Sequence, residues 1–311
     1  MEYFVGDNYS KTYYSALKAF SSDSTLTESR VGDCYDLSTA MFSIRSLSCG
    51  LPFVKGRGLN IFFAIMEVAW IYSGSNELKP LQTIIDNYGK YSEDNIHLYG
   101  AYGYRIFNKF GVNQVEKVIK ELLDSPESRR AVISIYAAGD LNNLTSLDIP
   151  CNISLLFKIR DNQLDMTVLN RSNDVYKGVP YNLFVFRLIQ FYISRELDIQ
   201  VGLHNHFTDS LHLYKEDFPK VANLLKQDEI VKDNLELDVS FFNEIIIDSA
   251  NIVGLNWNSI KSKRLRWLFT SYREFKEIKN ISSFEGHNEF LELSWFVDDW
   301  LQTHHDISLD L

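Results

Sequence analysis

Apolar side chains recur every three to four positions in several segments, which is the spacing of a helix with one buried face. This spacing, or a comparable apolar pattern, predicts helices over residues 8–20, 59–73, 76–88, 112–124, 182–197, 260–276 and 283–302. Residues 59–73 are apolar on most sides. We therefore expect that helix to lie inside the protein.

Other segments alternate apolar and polar side chains, or are apolar over the length of a strand. They are residues 40–47, 131–136, 153–160, 164–170, 198–206 and 241–248. Residues 161–163 (DNQ) join two of them and predict a hairpin. Strands and helices are mixed without strict alternation, which favours an α+β fold over a doubly wound sheet. We expect a main domain over residues 1–250 and a mainly helical C-terminal extension, residues 251–311, packed on it.

Composition and charge narrow the possible functions. The formal net charge is −10, which argues against a broad nucleic-acid-binding surface but leaves room for a small anion held by a few arginines. The three cysteines are too few and too scattered for a disulfide framework or a metal site. Residues 1–11 lack the pattern of a signal peptide, and residues 59–72 are too short for a membrane span. We expect a cytoplasmic protein without a metal.

Residues capable of chemistry occur in a definite order. Cys151 follows Pro150 at the start of a predicted strand, where a cysteine is more often a small buried residue. The other motifs are Glu67-Val-Ala-Trp70, Tyr99-Gly100 with Arg105, Ser128-Arg129-Arg130, Arg171-Ser172-Asn173-Asp174, Gly178-Val-Pro-Tyr-Asn182 and His212-Leu-Tyr214. In this order and spacing they resemble the thymidylate synthase family, which includes the pyrimidine hydroxymethylases. The resemblance covers roughly residues 28–215.

The resemblance implies a fold and a reaction. The fold is a large mixed β-sheet flanked by helices, packed against the sheet of a second copy in a homodimer. The reaction transfers a one-carbon unit from 5,10-methylenetetrahydrofolate to carbon 5 of a pyrimidine nucleoside 5'-monophosphate. Cys151 would add to carbon 6 as a thiolate and so make carbon 5 nucleophilic. Because a free thiol is mostly protonated at neutral pH, it needs a nearby positive charge, for which Arg171 is the candidate.

The resemblance places Asn182, Glu67 and Tyr99 with Cys151 in the catalytic site. The amide of Asn182 can donate to a carbonyl oxygen and accept from a ring N–H, which fits uracil. The cytosine hydroxymethylases of the family have Asp at this position, so Asn182 favours uracil, although an amide flip or a water could accommodate cytosine. Glu67 lies in an apolar helix, where a raised pKa suits acid–base catalysis. Tyr99 belongs to the segment that resembles the family's Tyr-Gly-x-x-x-Arg.

The resemblance also implies which residues bind the two substrates. The nucleotide would be held by Arg30, Arg129, Arg130, Arg171, Ser172, His212 and Tyr214. Forked arginine donors suit a phosphate, and the pair Arg129 and Arg130 would reach the site of the partner subunit. The segment around Arg30 lacks the family's Arg-Thr-Gly-Thr-Gly run. The folate would be held by Asp174, Gly178, Arg57 and Trp70.

Three departures from the family bear on the product. Ile84-Ile85-Asp86 stands where thymidylate synthases have Ile-Trp-Asp, and Thr208-Asp209-Ser210-Leu211 replaces their Gly-Gly-Asp. The C-terminus, LSWFVDDWLQTHHDISLDL, lacks the apolar tail that closes over folate in the family. Methylation needs a dry site, whereas water capture gives a hydroxymethyl group. The departures therefore favour hydroxymethylation slightly over methylation.

Several alternatives remain open at this point. Arg171 could be a solvated charge at a strand end, Asn182 a helix cap, and Glu67 one half of a buried ion pair. The protein could be a nucleotide-binding relative without turnover. A cysteine hydrolase would need partners such as Asp209 and His212, and would leave the arginines unexplained. The sequence does not distinguish ribose from deoxyribose or identify the pathway.

Overall fold

Two β-sheets and ten α-helices make up the part of the chain that this computed structural model describes, residues 1–20, 25–29, 32–227 and 235–309. The strands are β1 (Glu2–Gly6), β2 (Thr25–Thr27), β3 (Cys34–Asp36), β4 (Ala40–Ile44), β5 (Val132–Ser134), β6 (Asn152–Arg160), β7 (Gln163–Asn170), β8 (Asn173–Asp174), β9 (Gln200–Thr208) and β10 (Leu211–Tyr214). The helices are α1 (Tyr9–Lys18), α2 (Ile61–Tyr72), α3 (Lys79–Ile84), α4 (Tyr102–Tyr104), α5 (Gln114–Asp124), α6 (Val179–Glu196), α7 (Phe218–Leu224), α8 (Phe241–Val253), α9 (Lys263–Ile278) and α10 (Leu291–His305).

The larger sheet has the strand order β1-β4-β9-β7-β6-β5 and is mixed, because β1 pairs parallel to β4 and β7 parallel to β9. The smaller sheet has the order β2-β3-β10-β8. β9 and β10 follow each other closely and so connect the two sheets. The expected α+β fold with a large mixed sheet flanked by helices is confirmed.

Among the residues that the structure describes, no element covers one face of the larger sheet. Tyr3, Met41, Phe207 and Leu169 stand side by side in one cross-strand row. A second row runs Val5, Ser43, Asn205, Thr167, Leu156 and Val132. Tyr3 is 64% exposed and Val5 74% exposed, values that are unusual for apolar side chains in the middle of a strand.

Helix α2 forms the centre of the larger hydrophobic core, as its apolar sequence predicted. Asn60 caps its N-terminus by accepting a hydrogen bond from the Phe63 N–H at 2.9 Å. Every side chain from Ile61 to Ile71 is buried except Glu67. Glu67 is the one charged residue of α2, and its carboxyl group is therefore set among apolar side chains, where an unpaired charge is costly.

The prediction of a strand over residues 241–248 is wrong, because these residues begin helix α8. Its buried side chains include Phe241, Ile245, Asp248 and Ile252, which recur at helical spacing, while Ile247 is exposed. A short apolar run has no clear period, so sequence alone cannot separate a strand from a buried helix. The helix expected over 76–88 is shorter and continues as a 3₁₀ turn, Asp86–Tyr91, after Ile85. The helix expected over 283–302 begins only at Leu291.

The C-terminal helices share the core of the rest of the protein. The boundary expected after residue 250 falls inside α8. Phe62 of α2 stacks on Tyr272 of α9 with ring centroids 4.3 Å apart, and meets Trp300 of α10 edge-on at 5.0 Å. Residues 251–309 therefore help to bury the helix that carries Glu67. In the described part of the chain, no helix is both long and apolar enough to cross a membrane.

Candidate active site

A cavity of about 310 Å³ opens between α2, the segment before β6 and the start of α6. Five residues predicted from the sequence line it, namely Glu67, Trp70, Cys151, Gly178 and Asn182. The other lining residues are mostly apolar or aromatic, and they include Phe63, Tyr88, Tyr91, Tyr102, Leu147, Asp148, Ile149, Lys177 and Tyr181. The fold thus brings a thiol, a carboxyl group and an amide around one space of the size of a small ligand.

Cys151 is presented by a loop that Arg171 holds in place. The Arg171 guanidinium donates to the carbonyl oxygens of Ile149 and Pro150, both at 3.0 Å. The Ser172 hydroxyl donates to the Cys151 Sγ at 3.7 Å. Arg171 is exposed, but these bonds fix its side chain, unlike that of a freely solvated strand-end charge. Its positive charge is therefore held on the loop that carries the thiol.

Glu67 projects from α2 into the cavity, and no described basic side chain forms an ion pair with it. Its Oε2 is buried and has no hydrogen-bond partner among the described residues. Burial raises the pKa of this carboxyl group to about 8. No buried ion pair of Glu67 is found within the described ranges, so that alternative is not supported. A carboxyl group that titrates near neutral pH can take up and release a proton at a ligand.

Tyr102, and not Tyr99, faces this cavity. The Tyr99 hydroxyl donates to Asp140 Oδ1 at 3.0 Å, and the Tyr99 side chain lines a separate surface pocket. Tyr102 lines the cavity beside Cys151, and burial raises the pKa of its phenol. The chain carries two Tyr-Gly pairs three residues apart, and the structure brings the second, Tyr102-Gly103, against α2. A Cβ at Gly103 would lie 2.2 Å from the Ile71 carbonyl oxygen, so only glycine allows this contact.

Asn182 sits in the first turn of α6 and presents its amide to the cavity. Its Nδ2 donates to Asn173 Oδ1 at 3.2 Å. The N-cap of α6 is Gly178, so the alternative that Asn182 caps this helix does not apply. One N–H and the Oδ1 of Asn182 remain for a ligand.

Asp174, His212 and Tyr214 lie on two neighbouring strands of the smaller sheet, the edge strand β8 and the adjacent β10. Asp174 of β8 is the register partner of His212 in β10. Its Oδ1 accepts hydrogen bonds from the N–H groups of Tyr176 and Lys177, whereas its buried Oδ2 has no partner in the described structure. The His212 and Tyr214 rings meet edge-on, with centroids 5.3 Å apart. The unpaired Asp174 oxygen leaves an acceptor available to a ligand.

Three predicted basic residues that the structure describes, Arg57, Arg129 and Arg130, do not line the cavity. Arg57 is buried, donates to the Tyr176 carbonyl oxygen and stacks on the Tyr176 ring at 3.7 Å, so its charge is used inside the protein. Arg129 and Arg130 are exposed in the loop before β5, and Arg130 pairs with Glu121 at 2.9 Å. Arg30 lies outside the described residues.

The part of the cavity wall formed by the 3₁₀ turn after α3 differs from that expected of a thymidylate synthase. Ile85 is packed against the core, and two tyrosines from the following 3₁₀ turn, Tyr88 and Tyr91, line the cavity instead. Burial, followed by the nearby Glu67 charge, raises the pKa of Tyr88 well above its usual value. The cavity therefore has phenol groups beside Glu67, and these can hydrogen-bond a water molecule.

Sequence reasoning missed Tyr88, Tyr91, Tyr102 and Asp148. Asp148 accepts a hydrogen bond from the Gly100 N–H at 2.8 Å, and burial raises the pKa of its carboxyl group to about 6. Its position three residues before Cys151 was the available signal for it. The described residues contain no group of three or more His, Cys, Asp or Glu side chains that could hold a metal ion.

The fold, the thiol and the buried carboxyl group define a class of protein, and comparison with known sequences agrees with it. A profile of the family described as thymidylate synthase matches residues 11–262. This match covers most of the chain, which therefore belongs to the thymidylate synthase family.

Three relatives show which members it resembles. It is 34% identical over 170 residues to the deoxyuridylate hydroxymethyltransferase of Pseudomonas phage M6, covering 54% of this chain and 48% of the relative. It is 35% identical over 179 residues to the protein of that name in Bacillus phage SP01, covering 53% and 46%. The thymidylate synthase of Vesicomyosocius okutanii subsp. Calyptogena okutanii (strain HA) is 26% identical over 195 residues, covering 59% and 72%. The chain thus spans about half the length of the two phage relatives.

Proposed function

We propose that this protein uses 5,10-methylenetetrahydrofolate to hydroxymethylate carbon 5 of a uracil nucleotide, with dUMP as the substrate. The observation that carries the proposal is the shared cavity of Cys151, Glu67 and Asn182 in a chain of this family. The proposal extends to this chain the activity named for the two phage relatives.

The reaction follows from the groups around the cavity. The Cys151 thiolate adds to carbon 6 of the ring, and the electron pair moves to the carbon 4 oxygen, so that carbon 5 becomes nucleophilic. The folate, when bound, supplies one carbon at the formaldehyde level. Carbon 5 forms a bond to this carbon and loses its proton, and tetrahydrofolate leaves. Water then adds to the exocyclic methylene group, and the thiolate departs from carbon 6, which restores the ring.

Each residue has a distinct task in this scheme. Asn182 binds the carbon 4 oxygen and N3–H of the base, and Glu67 carries protons to and from the base. Arg171 and Ser172 hold the thiol loop. His212 and Tyr214 bind the sugar. Asp174, Gly178 and Trp70 form the folate side, where the unpaired Asp174 oxygen can accept from a pterin N–H.

Hydroxymethylation is favoured over methylation by the wall of the cavity. A methyl product requires hydride transfer from the folate in a site that excludes water. Here Ile85 stands in place of the expected Trp, and Tyr88 and Tyr91 offer hydroxyl groups to water beside Glu67. The alternative is methylation to dTMP, as named for the Vesicomyosocius relative.

We further propose a homodimer built on the exposed face of the larger sheet. Two cross-strand rows on this face carry apolar side chains, including the exposed Tyr3 and Val5. Arg129 and Arg130 lie in an exposed loop next to β5, from which they would reach the phosphate in the partner's site. Cys151 must remain a free thiol, so we place the protein in the reducing cytoplasm. Nucleic acid has no part in the reaction.

The proposal is tested by incubating the full chain with methylenetetrahydrofolate and dUMP, UMP, dCMP or CMP in separate reactions. Mass spectrometry should find a hydroxymethyl product in the dUMP reaction, with no increase in dihydrofolate absorbance. Cys151→Ser should abolish it while nucleotide still binds. A methyl product with dihydrofolate would favour the synthase alternative. Bound nucleotide without turnover would instead identify a non-catalytic relative.

A further inference from the structure

A chain of buried amides and one imidazole leads from the start of β6 to Asn182. It consists of Asn152, Asn170, His206, Asn173 and finally Asn182. The first four of these side chains are at most 4% exposed. Each side chain in this hydrogen-bonded series can present either a donor or an acceptor to its neighbour. The direction of the hydrogen bond at one end therefore determines the direction of every bond up to the other end.

A backbone carbonyl fixes the polarity at the far end. Asn152 Nδ2 donates to the Leu169 carbonyl oxygen at 3.2 Å, and a carbonyl oxygen can only accept. The same Nδ2 donates to Asn170 Oδ1 at 3.0 Å. The Asn170 amide is therefore turned with its oxygen toward Asn152 and its nitrogen toward His206.

His206 passes this polarity on as an acceptor. Its Nε2 receives Asn170 Nδ2 at 2.7 Å and Asn173 Nδ2 at 3.0 Å. Burial lowers the pKa of the imidazole to about 3, so the ring is neutral at physiological pH. Because Nε2 receives two amide N–H groups, the single proton of the ring is on Nδ1, which has no hydrogen-bond partner among the described residues. The amide nitrogens of Asn170 and Asn173 both donate to the lone pair of Nε2. The Asn173 oxygen therefore points away from His206, toward Asn182.

The Asn173 oxygen in turn orients Asn182. Asn173 Oδ1 accepts from Asn182 Nδ2 at 3.2 Å. Gly178 makes this position possible, since a Cβ there would lie 2.5 Å from that oxygen. If the Asn182 amide flipped, its oxygen would face the Asn173 oxygen, and both acceptors would be left without a proton.

We propose that His206, acting through Asn173, locks the Asn182 amide in one orientation and thereby makes the protein select uracil over cytosine. This inference rests on the proposed function, in which Asn182 contacts the base. Uracil presents a carbonyl oxygen and an N–H to the amide, whereas cytosine presents an amino group and a bare nitrogen. Cytosine can be bound only by a flipped Asn182 amide, and the hydrogen bond from Asn182 to Asn173 disfavours that flip. His206, Asn170 and Asn173 are positioning residues, since none of them lines the cavity.

Two variants at His206 test the lock. In His206→Gln an amide oxygen can still accept from Asn170 and Asn173, and in His206→Leu no acceptor remains. The readout is the dUMP-to-dCMP ratio, measured both as calorimetric affinity and as kcat/KM. We expect His206→Gln to stay within about threefold of wild type and His206→Leu to lose about tenfold or more of the ratio. Circular dichroism confirms that each variant is folded.

Asn170→Asp tests the same lock by reversing it with an almost isosteric change. A carboxylate can accept from Asn152 but cannot donate to His206, so His206 must place its proton on Nε2. Asn173 then turns its oxygen to His206 and its nitrogen to Asn182, which flips. We expect dCMP affinity to rise about tenfold while dUMP affinity falls. Simple structural damage would weaken both nucleotides, so a gain for dCMP identifies the polarity mechanism.

The affinity readout separates this inference from the proposed reaction. If the wild type prefers dUMP and loses that preference in His206→Leu and Asn170→Asp, the inference holds even without turnover. The inference is overturned if the wild type binds dCMP as tightly as dUMP. It is also overturned if folded His206→Leu and Asn170→Asp keep the wild-type ratio. Absence of product from every nucleotide overturns the reaction and leaves the binding test intact.

Discussion

Asp299, in the middle of α10, accepts a hydrogen bond from the Gly58 N–H at 2.7 Å and a second from the Gly56 N–H. These glycines lie in the loop that leads into α2, so the C-terminal helix braces the helix that carries Glu67. His304 adds a contact to the Gly58 carbonyl oxygen at 2.9 Å. The C-terminal region thus acts as part of the core.

Removing the Asp299 carboxylate should destabilise the protein. Asp299→Ala leaves two N–H groups in a buried loop without acceptors, which we expect to lower the free energy of unfolding by about 1–3 kcal/mol. The matched control is Asp306→Asn, an exposed site at the C-terminal end of the same helix. Urea unfolding followed by fluorescence measures both. Equal stability of the two variants would mean that the loop does not depend on α10.

The Glu67 carboxyl group should reveal itself by a pH-dependent stability. Burial raises its pKa to about 8 in the folded state, so folding favours the protonated form. Below the pKa of the unfolded state, the carboxyl group is protonated in both states and the raised pKa has little effect on stability. As pH rises from there toward 8, the unfolded state loses this proton while the folded state keeps it, so the free energy of unfolding falls. The stability of Glu67→Gln relative to wild type should therefore increase by at least about 1 kcal/mol between pH 5 and pH 8. A difference that is the same at both pH values would contradict this environment for Glu67.

Glu67→Gln should also be a poor enzyme. The amide cannot exchange a proton with the base, so kcat should fall by about 10²–10⁴-fold while nucleotide affinity changes little. Steady-state kinetics and calorimetry measure the two quantities. Near-normal turnover by this folded variant would remove Glu67 from the proposed mechanism.

The two neighbouring tyrosines should differ in what their hydroxyl groups do. Tyr102→Phe removes a phenol that lines the cavity, and it should lower kcat by about tenfold or more. Tyr99→Phe removes a hydrogen bond to Asp140 and should cost about 1 kcal/mol of stability with near-normal kcat. Steady-state kinetics and thermal unfolding of both variants measure kcat and stability. The reverse pattern would restore the expectation based on the first Tyr-Gly pair.

The exposed sheet face should hold two copies together. Leu156→Arg places a charge in a cross-strand row of this face, between Thr167 and Val132, and should give a monomer with little activity. Ile247→Arg, at an exposed position of α8, is the control and should leave the dimer intact. Light scattering measures the mass in solution. A fully active monomeric wild type would contradict the proposed dimer and the role of Arg129 and Arg130 in it.

A feature of the fold or of the site could be predicted from the sequence when neighbouring residues along the chain determine it. The sequence predicted that α2 is buried and that it carries Glu67, because a long segment that is apolar on most sides indicates a helix inside the protein. Residues 241–248 were predicted wrongly as a strand, because a short apolar run fits a strand as well as a buried helix. Cys151 and Asn182 were found through motif order, and the structure places both on one cavity.

Other parts of the site arise only from tertiary packing. Tyr99-Gly100 and Tyr102-Gly103 look alike in sequence, and tertiary contacts distinguish them: Gly103 packs against Ile71, whereas the Tyr99 hydroxyl donates to Asp140. Arg57 was expected near the folate, but its burial against Tyr176 depends on how the loop before α2 is folded. The hydrogen bonds from His206 through Asn173 to Asn182 join three separate segments, so no pattern along the sequence predicts them.

The most direct test of the central claim is the origin of the oxygen in the product. The full chain is incubated with dUMP and methylenetetrahydrofolate in water enriched in heavy oxygen, and the nucleotide is analysed by mass spectrometry. If water captures the exocyclic methylene group, the product carries a hydroxymethyl group with the heavy isotope, formed without dihydrofolate. A methyl product accompanied by dihydrofolate would contradict water capture and would show that hydride, not water, reaches the exocyclic carbon.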